Sequence, residues 1–190
     1  DRLQAADAAL AARVAMGDAD ALGPLYARHK GMVYRFALLW SGQPAVAADV
    51  TQEVFLHLLS HAASYDPARG PLAPWLLGVA RNLVRRRHGA DARYVAQGDD
   101  EVGHGLAAAD EGPEAALELR RDLVALHAAI ASLPPHYRDV LVLVELAERS
   151  YAETAAICGC EINTVRSRLS RARAHLVRWL QPAQAGVAGG

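Results

Sequence analysis

Apolar residues recur with helical spacing near the end of the chain, at i, i+4, i+7 and i+11. These positions are Val165, Leu169, Ala172 and Leu176. The spacing predicts a long helix with one buried stripe. Before it, the S-x-x-E capping box of Ser150 and Glu153 predicts a short helix from Tyr151, and Gly159 predicts its end. A short helix, a tight turn and a long helix together indicate a helix-turn-helix.

The face of the long helix opposite this stripe is polar and rich in arginine. From residue 161 to residue 178, five arginines stand against one acid. Such a face suits the DNA major groove, where small polar groups approach base edges and flanking cations hold phosphates. An ordinary solvated helix face is the alternative, because helix-turn-helix patterns are degenerate. The candidate DNA-contacting residues are Asn163, Thr164, Arg166, Ser167, Arg168, Ser170, Arg171 and Arg173.

The first half of the chain has further helical periodicity. Residues 20–40 predict two helical stretches or one bent helix, and a turn follows at residues 42–44. The next helix, roughly residues 45–63, has one apolar face and one polar face. The apolar face comprises Val50, Val54, Leu58 and His61, and the polar face comprises Asp49, Gln52, Glu53 and His57. An irregular loop at residues 65–71 precedes a helix that starts near Pro74 and ends in arginines.

Composition favours an all-α fold, because Ala, Leu and Arg dominate and β-branched runs of period two are absent. The 190 residues suit one medium domain or two small ones. No apolar run approaches the roughly 18 residues that span a membrane, and the residues given, which start at Asp1, lead us to expect no charged-then-apolar leader. Cys158 and Cys160 are too close together for an easy disulfide, which favours a reducing, cytoplasmic location.

Charge divides the chain into segments. Residues 1–90 carry 10 Lys and Arg against 7 Asp and Glu, residues 91–122 carry 3 against 9, and residues 123–190 carry 7 against 5. Two mildly basic helical pieces therefore flank an acidic connector, which is typical of a flexible linker. We expect domains at residues 1–90 and 123–181, a linker at 91–122, and a disordered tail at 182–190.

The motifs in both pieces resemble those of the extracytoplasmic-function (ECF) sigma factors of bacterial RNA polymerase. The first piece has DVTQEVFL at residues 49–56, YDPARG at 65–70, WL at 75–76 and ARNL at 80–83. These are similar to segments of sigma region 2. The second piece has LPPHYRDVL at residues 133–141 and TVRSRLSRAR at 164–173, which are similar to region 4. The resemblance covers nearly the whole chain and implies two small helical domains joined by the acidic linker.

The resemblance also implies partners and site residues. In this family the D-x-T-Q-E helix docks on the clamp coiled coil of the polymerase's largest subunit, and core polymerase also offers its flap. The residues implied in core binding are Asp49, Gln52, Glu53, Phe55 and Leu56. Promoter DNA would be contacted at the −35 element by the helix-turn-helix residues named above. An anti-sigma factor that holds the two domains together is a further partner implied by the resemblance.

The −10 element would be held by the loop after residue 65 and by the helix that follows, where the family captures a flipped base. The implied residues are Asp66, Arg69, Leu72, Trp75, Arg81, Asn82, Arg85 and Arg86. Leu72 departs from the family, because an aromatic residue is common at that position. With few aromatics available for stacking, we expect weak unassisted melting and strict promoter choice.

Other functions are less well supported. A stand-alone helix-turn-helix repressor would have no use for the D-x-T-Q-E helix, and a sigma-like decoy would carry a receiver domain. We expect no enzyme activity and no cofactor, because neither a nucleophile–base set nor a phosphate loop is present. Glu53, His57 and His61 have a spacing that could hold a metal, but His61 is expected on the apolar face. Cys158 and Cys160 are interpreted as small residues in a tight turn, with a redox or zinc switch as the alternative.

Overall fold

The computed structural model describes residues 2–95 and 113–185, with side chains for residues 2–89 and 121–180. These ranges contain helices and short helical turns, and no β-strand lies within them. The helices are α1 Arg2–Ala15, α2 Leu22–Ser41, α3 Pro44–His61, α4 Leu72–Val95, α5 Pro113–Ala131, α6 Pro135–Leu141, α7 Tyr151–Cys158 and α8 Ile162–Ala185. The all-α fold predicted from the composition is therefore confirmed.

Helices α1 to α4 form the first domain. Its core comprises fully buried side chains from α2, α3 and α4, among them Leu25, Phe36, Trp40, Leu58, Leu76 and Leu77. Helix α1, which the sequence analysis did not identify, is joined to α2 by a buried carboxylate. Asp7 accepts a hydrogen bond from His29 at 2.8 Å and also pairs with Arg28. A buried carboxylate needs such partners, because an unpaired charge is costly to desolvate.

Helices α5 to α8 form the second domain. The stripe of α8 is buried as predicted, at Val165, Leu169 and Ala172, against Ile130, Leu133 and Val140. The capping box of Ser150 and Glu153 is present at the start of α7. Gly159 ends that helix at φ 62°, a left-handed conformation that glycine adopts without steric cost. The predicted helix-turn-helix is therefore confirmed residue by residue in its local structure.

The element boundaries differ from expectation in several places. Of the two alternatives for residues 20–40, a single helix is present, at residues 22–41. Helix α4 starts at Leu72 and reaches Val95, while α5 starts at Pro113, so both enter the predicted linker at residues 91–122. Helix α8 reaches Ala185, inside the predicted tail at residues 182–190. The rest of these two predictions, residues 96–112 and 186–190, lies outside the described residues.

The two domains are in contact. Helix α4 of the first domain packs against α7 of the second, and α2 packs against the short π-helical segment Val142–Leu146 that follows α6. The α4 side of this contact includes arginines that were predicted to hold DNA. The described helices include none that is both long enough and apolar enough to cross a membrane.

Candidate nucleic-acid and polymerase interfaces

The polar face of α8 is open to solvent. Asn163, Ser167 and Ser170 are exposed, and Thr164 is half-buried beside them. Their exposure follows from the burial of the opposite stripe, since residues on the two faces are separated by about half a helical turn. The structure therefore orients α8 as the spacing predicted. Contact of this face with DNA remains a prediction.

The arginines of α8 are held by groups of their own domain. Arg166 donates to Asn163 Oδ1 at 3.2 Å, and Arg171 donates to the Tyr137 hydroxyl at 3.4 Å. Arg173 donates through Nε to Glu145 at 3.0 Å, and this hydrogen bond raises the pKa of Arg173. These contacts lie at the surface, where ion pairs stabilise little and are easily exchanged for phosphate. Arg168 is half-buried.

Two of the predicted −10 arginines, Arg81 and Arg85, contact the second domain, and the Arg85 side chain stays 38% exposed. Arg81 donates through Nε to Asp139 Oδ2 at 2.6 Å, and its side chain is only 12% exposed. Arg85 lies 3.5 Å from the same oxygen. Trp40 donates its indole N–H to Asp139 Oδ1 at 2.8 Å. We call this contact of Asp139 with Trp40, Arg81 and Arg85 the domain clasp.

The domain clasp buries a charge whose side-chain hydrogen bonds come from the first domain. Asp139 is 1% exposed, and its three side-chain partners all belong to α2 and α4. Its neighbour Arg138 lies over the Trp40 ring, 4.4 Å from the centroid, and donates to the Leu133 carbonyl at 3.1 Å. Burial lowers the pKa of Arg138, and the charge of Asp139 opposes that shift. Removing one member of a buried ion pair is strongly destabilising, so the domain clasp should hold the domains in one orientation.

The remaining predicted −10 residues are divided between surface and core. Arg69, Asn82 and Arg86 are exposed, and Trp75 is half-buried. Asp66 is exposed and accepts a hydrogen bond from the Ala68 amide at 2.9 Å, capping a helical turn in the loop. Leu72 is fully buried in the first domain. The prediction that Leu72 contacts DNA therefore disagrees with this structure, because its side chain faces the core.

A row of rings that joins α3 to α4 was not predicted. The His57 and His61 rings stack with centroids 4.3 Å apart at 14°. His57 also stacks on Trp75 at 5.8 Å and 30°. We call His61, His57 and Trp75 the ring row. The expectation that His61 lies on the apolar face is wrong, since it is exposed. The i, i+4 spacing of the two histidines was the available signal.

The predicted polymerase edge on α3 is mostly accessible. Asp49 and Gln52 are exposed, and Leu56 is 52% exposed. Glu53 is half-exposed and pairs with Arg87 of α4 at 2.9 Å. Phe55 is an exception, because it is buried against the Tyr26 ring at 4.9 Å. Phe55 therefore supports α3 from inside, and its predicted contact with polymerase disagrees with this structure.

The cysteines lie half-buried at the turn of the helix-turn-helix. Burial raises the pKa of the Cys158 thiol to about 11, so the reactive thiolate is scarce at neutral pH. No group of three or more His, Cys, Asp or Glu side chains that could hold a metal ion occurs in the described part of the chain. Of the three residues whose spacing could hold a metal, His57 and His61 stack on each other and Glu53 forms an ion pair with Arg87.

Comparison with known proteins agrees with the sequence motifs. Residues 25–94 match the family model of Sigma-70 region 2, and residues 123–176 match that of Sigma-70, region 4. The chain is 36% identical over 141 residues to the ECF RNA polymerase sigma factor EcfG of Rhodopseudomonas palustris (strain TIE-1). That alignment covers 74% of this chain and 75% of EcfG.

Two solved structures have a similar fold over most of the chain. CnrH, in complex with the cytosolic domain of CnrY, is 26% identical with a TM-score of 0.67, covering 93% of this chain and 98% of that chain. The sigma factor RpoE, in complex with the anti-sigma factor NepR from Bartonella quintana, is 27% identical with a TM-score of 0.63, covering 80% and 91%. The two sigma regions in order, the identity to EcfG and the shared fold identify this chain as a member of the ECF RNA polymerase sigma factors, which direct promoter-specific initiation of transcription.

Proposed function

We propose that this chain performs that role with two surfaces for polymerase, one on each domain, and two for DNA. The edge of α3 at Asp49, Gln52, Glu53 and Leu56 docks on the clamp coiled coil of the largest subunit, and the second domain meets the flap. The exposed face of α8 reads the −35 element. The observation that carries this proposal is the joint presence, in one chain, of the accessible acidic edge on α3 and the solvent-facing polar crest on α8.

Recognition of the −10 element requires the domains to separate. Arg81 and Arg85 are suited to phosphate, because guanidinium groups bind it well, yet Asp139 occupies both in this structure. Arg69, Asn82 and Arg86 are accessible without rearrangement. In our proposal, core polymerase holds the two domains apart and thereby releases Arg81 and Arg85 to the DNA.

We further propose a cytoplasmic protein without catalytic activity that is controlled by an anti-sigma factor. Both of the similar solved structures contain a partner of the sigma chain: the cytosolic domain of CnrY in one and the anti-sigma factor NepR in the other. Exposed apolar side chains on α3, at Leu56 and Leu59, offer surface that such a partner could cover. The chain itself has the role of orienting polymerase, whose own active site makes the RNA.

Transcription in vitro with core polymerase and a promoter library tests the proposal. We expect a defined set of promoters with shared −10 and −35 sequences, and no transcript without this chain. The isolated chain should bind duplex promoter DNA poorly, because the domain clasp occupies part of its basic surface. Tight specific binding by the isolated chain, without polymerase-dependent transcription, would favour a stand-alone repressor instead.

A further inference from the structure

The ring row contains two side chains, His57 and His61, that belong to no DNA-binding or polymerase-binding set described above. The two imidazoles are nearly parallel at 14°, and the nearer one also stacks on Trp75. The His61 orientation is fixed by a hydrogen bond from its Nδ1 to the His57 carbonyl oxygen at 3.3 Å. Since a carbonyl can only accept, Nδ1 carries the proton. The ring row is thus an ordered aromatic surface.

The ring row is accessible. His61 is exposed, and His57 and Trp75 are half-buried. The Tyr65 ring meets Trp75 edge-on at 6.2 Å and supports it from the loop. A flat ligand can therefore stack on the row without displacing the core.

The surroundings of the ring row favour a polyanion. Trp75, Asn82 and Arg86 are spaced i, i+7 and i+11, which places them on one face of α4. Arg86 is exposed and close enough to His57 that its charge helps to lower the pKa of that imidazole, after the larger effects of burial and of His61. The carboxylate one turn before His57, Glu53, is paired with Arg87. A phosphate next to the row therefore meets a free guanidinium and a neutralised acid.

We propose that the ring row is a stacking platform for an unpaired base of promoter DNA, with Arg86 on the adjoining phosphate. Aromatic side chains bind single strands through the π-face that every base offers, and a cationic groove follows the backbone. The inference rests on the proposed function, because a melted −10 element supplies unpaired bases beside Trp75 and Asn82. The ring row supplies stacking in a chain that has the buried Leu72, at the start of α4, where an aromatic residue is common in the family.

Polymerase is the competing occupant, since His57 follows Glu53 on the same helix. The test therefore uses the full chain assembled with core polymerase, and the affinity for core is measured separately for every variant. The DNA probe is a fork that carries a promoter transcribed by the wild-type holoenzyme, with the −10 non-template strand unpaired. One unpaired adenine is replaced by 2-aminopurine, whose fluorescence falls when the base stacks.

The decisive variants are His57→Ala/His61→Ala and His57→Phe/His61→Phe. We expect the Ala pair to weaken fork binding by roughly tenfold and to abolish the fluorescence quenching. The Phe pair should retain both, because it keeps flat rings while losing the imidazole nitrogens. His136→Ala is the matched control, since that histidine lies in the second domain beside Tyr137 at a ring distance of 4.1 Å. It should change neither signal.

Three results would overturn the stacking role: unchanged fork binding and quenching in the Ala pair, equal losses in the Ala and Phe pairs, or a loss that appears only in core affinity. The last would reassign the ring row to polymerase. Circular dichroism of each variant checks that the substitutions leave the fold intact. If the wild-type holoenzyme bound no fork DNA and transcribed no promoter, the proposed function would fail, which is a different outcome from failure of the Ala pair alone.

Discussion

The two domains hold their candidate DNA-binding arginines in different ways. In the second domain, Arg171 and Arg173 are held by Tyr137 and Glu145, which belong to the same domain and lie near the surface. In the first domain, Arg81 and Arg85 are held by a fully buried carboxylate that the second domain supplies. The −35 face is thus available in any arrangement of the domains, whereas part of the −10 face is available only when they separate.

This difference indicates where control can act. A surface pair such as Arg173 with Glu145 exchanges its carboxylate for phosphate at little cost. The domain clasp must break a buried pair together with the Trp40 hydrogen bond, which is expensive unless a partner replaces those contacts. Core polymerase, by holding the domains apart, is the partner that our proposal assigns to this task.

The largest effect is expected from Asp139→Ala. It leaves the Arg81 guanidinium and the Trp40 N–H without their partner, a loss of about 3 to 5 kcal/mol for a buried ion pair. The domains should separate, and small-angle X-ray scattering should record a larger radius of gyration for the free chain. Glu145→Ala is the matched control, since it removes a surface carboxylate within one domain. An unchanged radius of gyration in Asp139→Ala would contradict the claim that the domain clasp holds the two domains together.

Alkylation of Cys158 should report on the same contact. With the pKa raised to about 11 from 9.0, the thiolate fraction at pH 8 falls about 100-fold, because each pKa unit changes it about tenfold. Iodoacetamide should therefore modify Cys158 about 100-fold more slowly in the folded chain than in urea, as peptide mapping can measure. The rate should rise in Asp139→Ala, because separation of the domains exposes the thiol and removes the burial that is the largest cause of its raised pKa. An unchanged rate in that variant would mean that the second domain alone shields Cys158.

Polymerase binding should depend on the first domain's edge. Gln52→Ala with Glu53→Lys should weaken core binding by roughly 10- to 100-fold, as for central interface residues. Arg87→Ala should leave core binding equal or tighter, because it frees Glu53 from an internal pair. Pull-down or interferometry with core polymerase measures both. Undiminished binding by the Gln52 and Glu53 variant, with helicity retained, would show that α3 is not the docking edge.

The smallest effects on transcription are expected from single substitutions on the −35 face of α8. Arg171→Ala should relax preference at one or two −35 positions by about tenfold, because arginine reads guanine through paired hydrogen bonds. Arg173→Ala should weaken all promoters about equally and lower the salt dependence, as expected for a phosphate contact. Promoter-library transcription with each variant separates the two patterns. The reverse assignment would mean that α8 is rotated on the DNA.

Local structure was largely predictable from the sequence, because its causes are local. Ser150 and Glu153 satisfy each other's backbone groups, Gly159 permits the left-handed turn, and the α8 stripe follows from periodicity alone. His61 shows where periodicity ends: the spacing places it with Val50, Val54 and Leu58, yet its side chain is exposed and stacks on His57. Its exposure could not be inferred from spacing.

The candidate site was less predictable, because its decisive contacts join residues far apart in sequence. Trp40 and Asp139 are separated by 99 positions, and Arg81 and Asp139 by 58. Sequence motifs placed Arg81 among the residues that would hold the −10 element, but its carboxylate partner belongs to the other domain and could not be found from them. Phe55 and Leu72 differ from the expected exposed positions for a similar reason, since tertiary packing rather than motif position decides that both are buried.

The most direct test is the distance between the domains with and without core polymerase. Genetically encoded spin-label amino acids at the exposed positions Ser60 of α3 and Glu161, just before α8, report that distance by pulsed electron resonance. We predict one narrow, short distance in the free chain and a distinctly longer one in the holoenzyme. Asp139→Ala should lengthen and broaden the distance without polymerase. An identical distance in the free chain and in the holoenzyme would contradict the account, because Arg81 and Arg85 would then stay covered during promoter recognition.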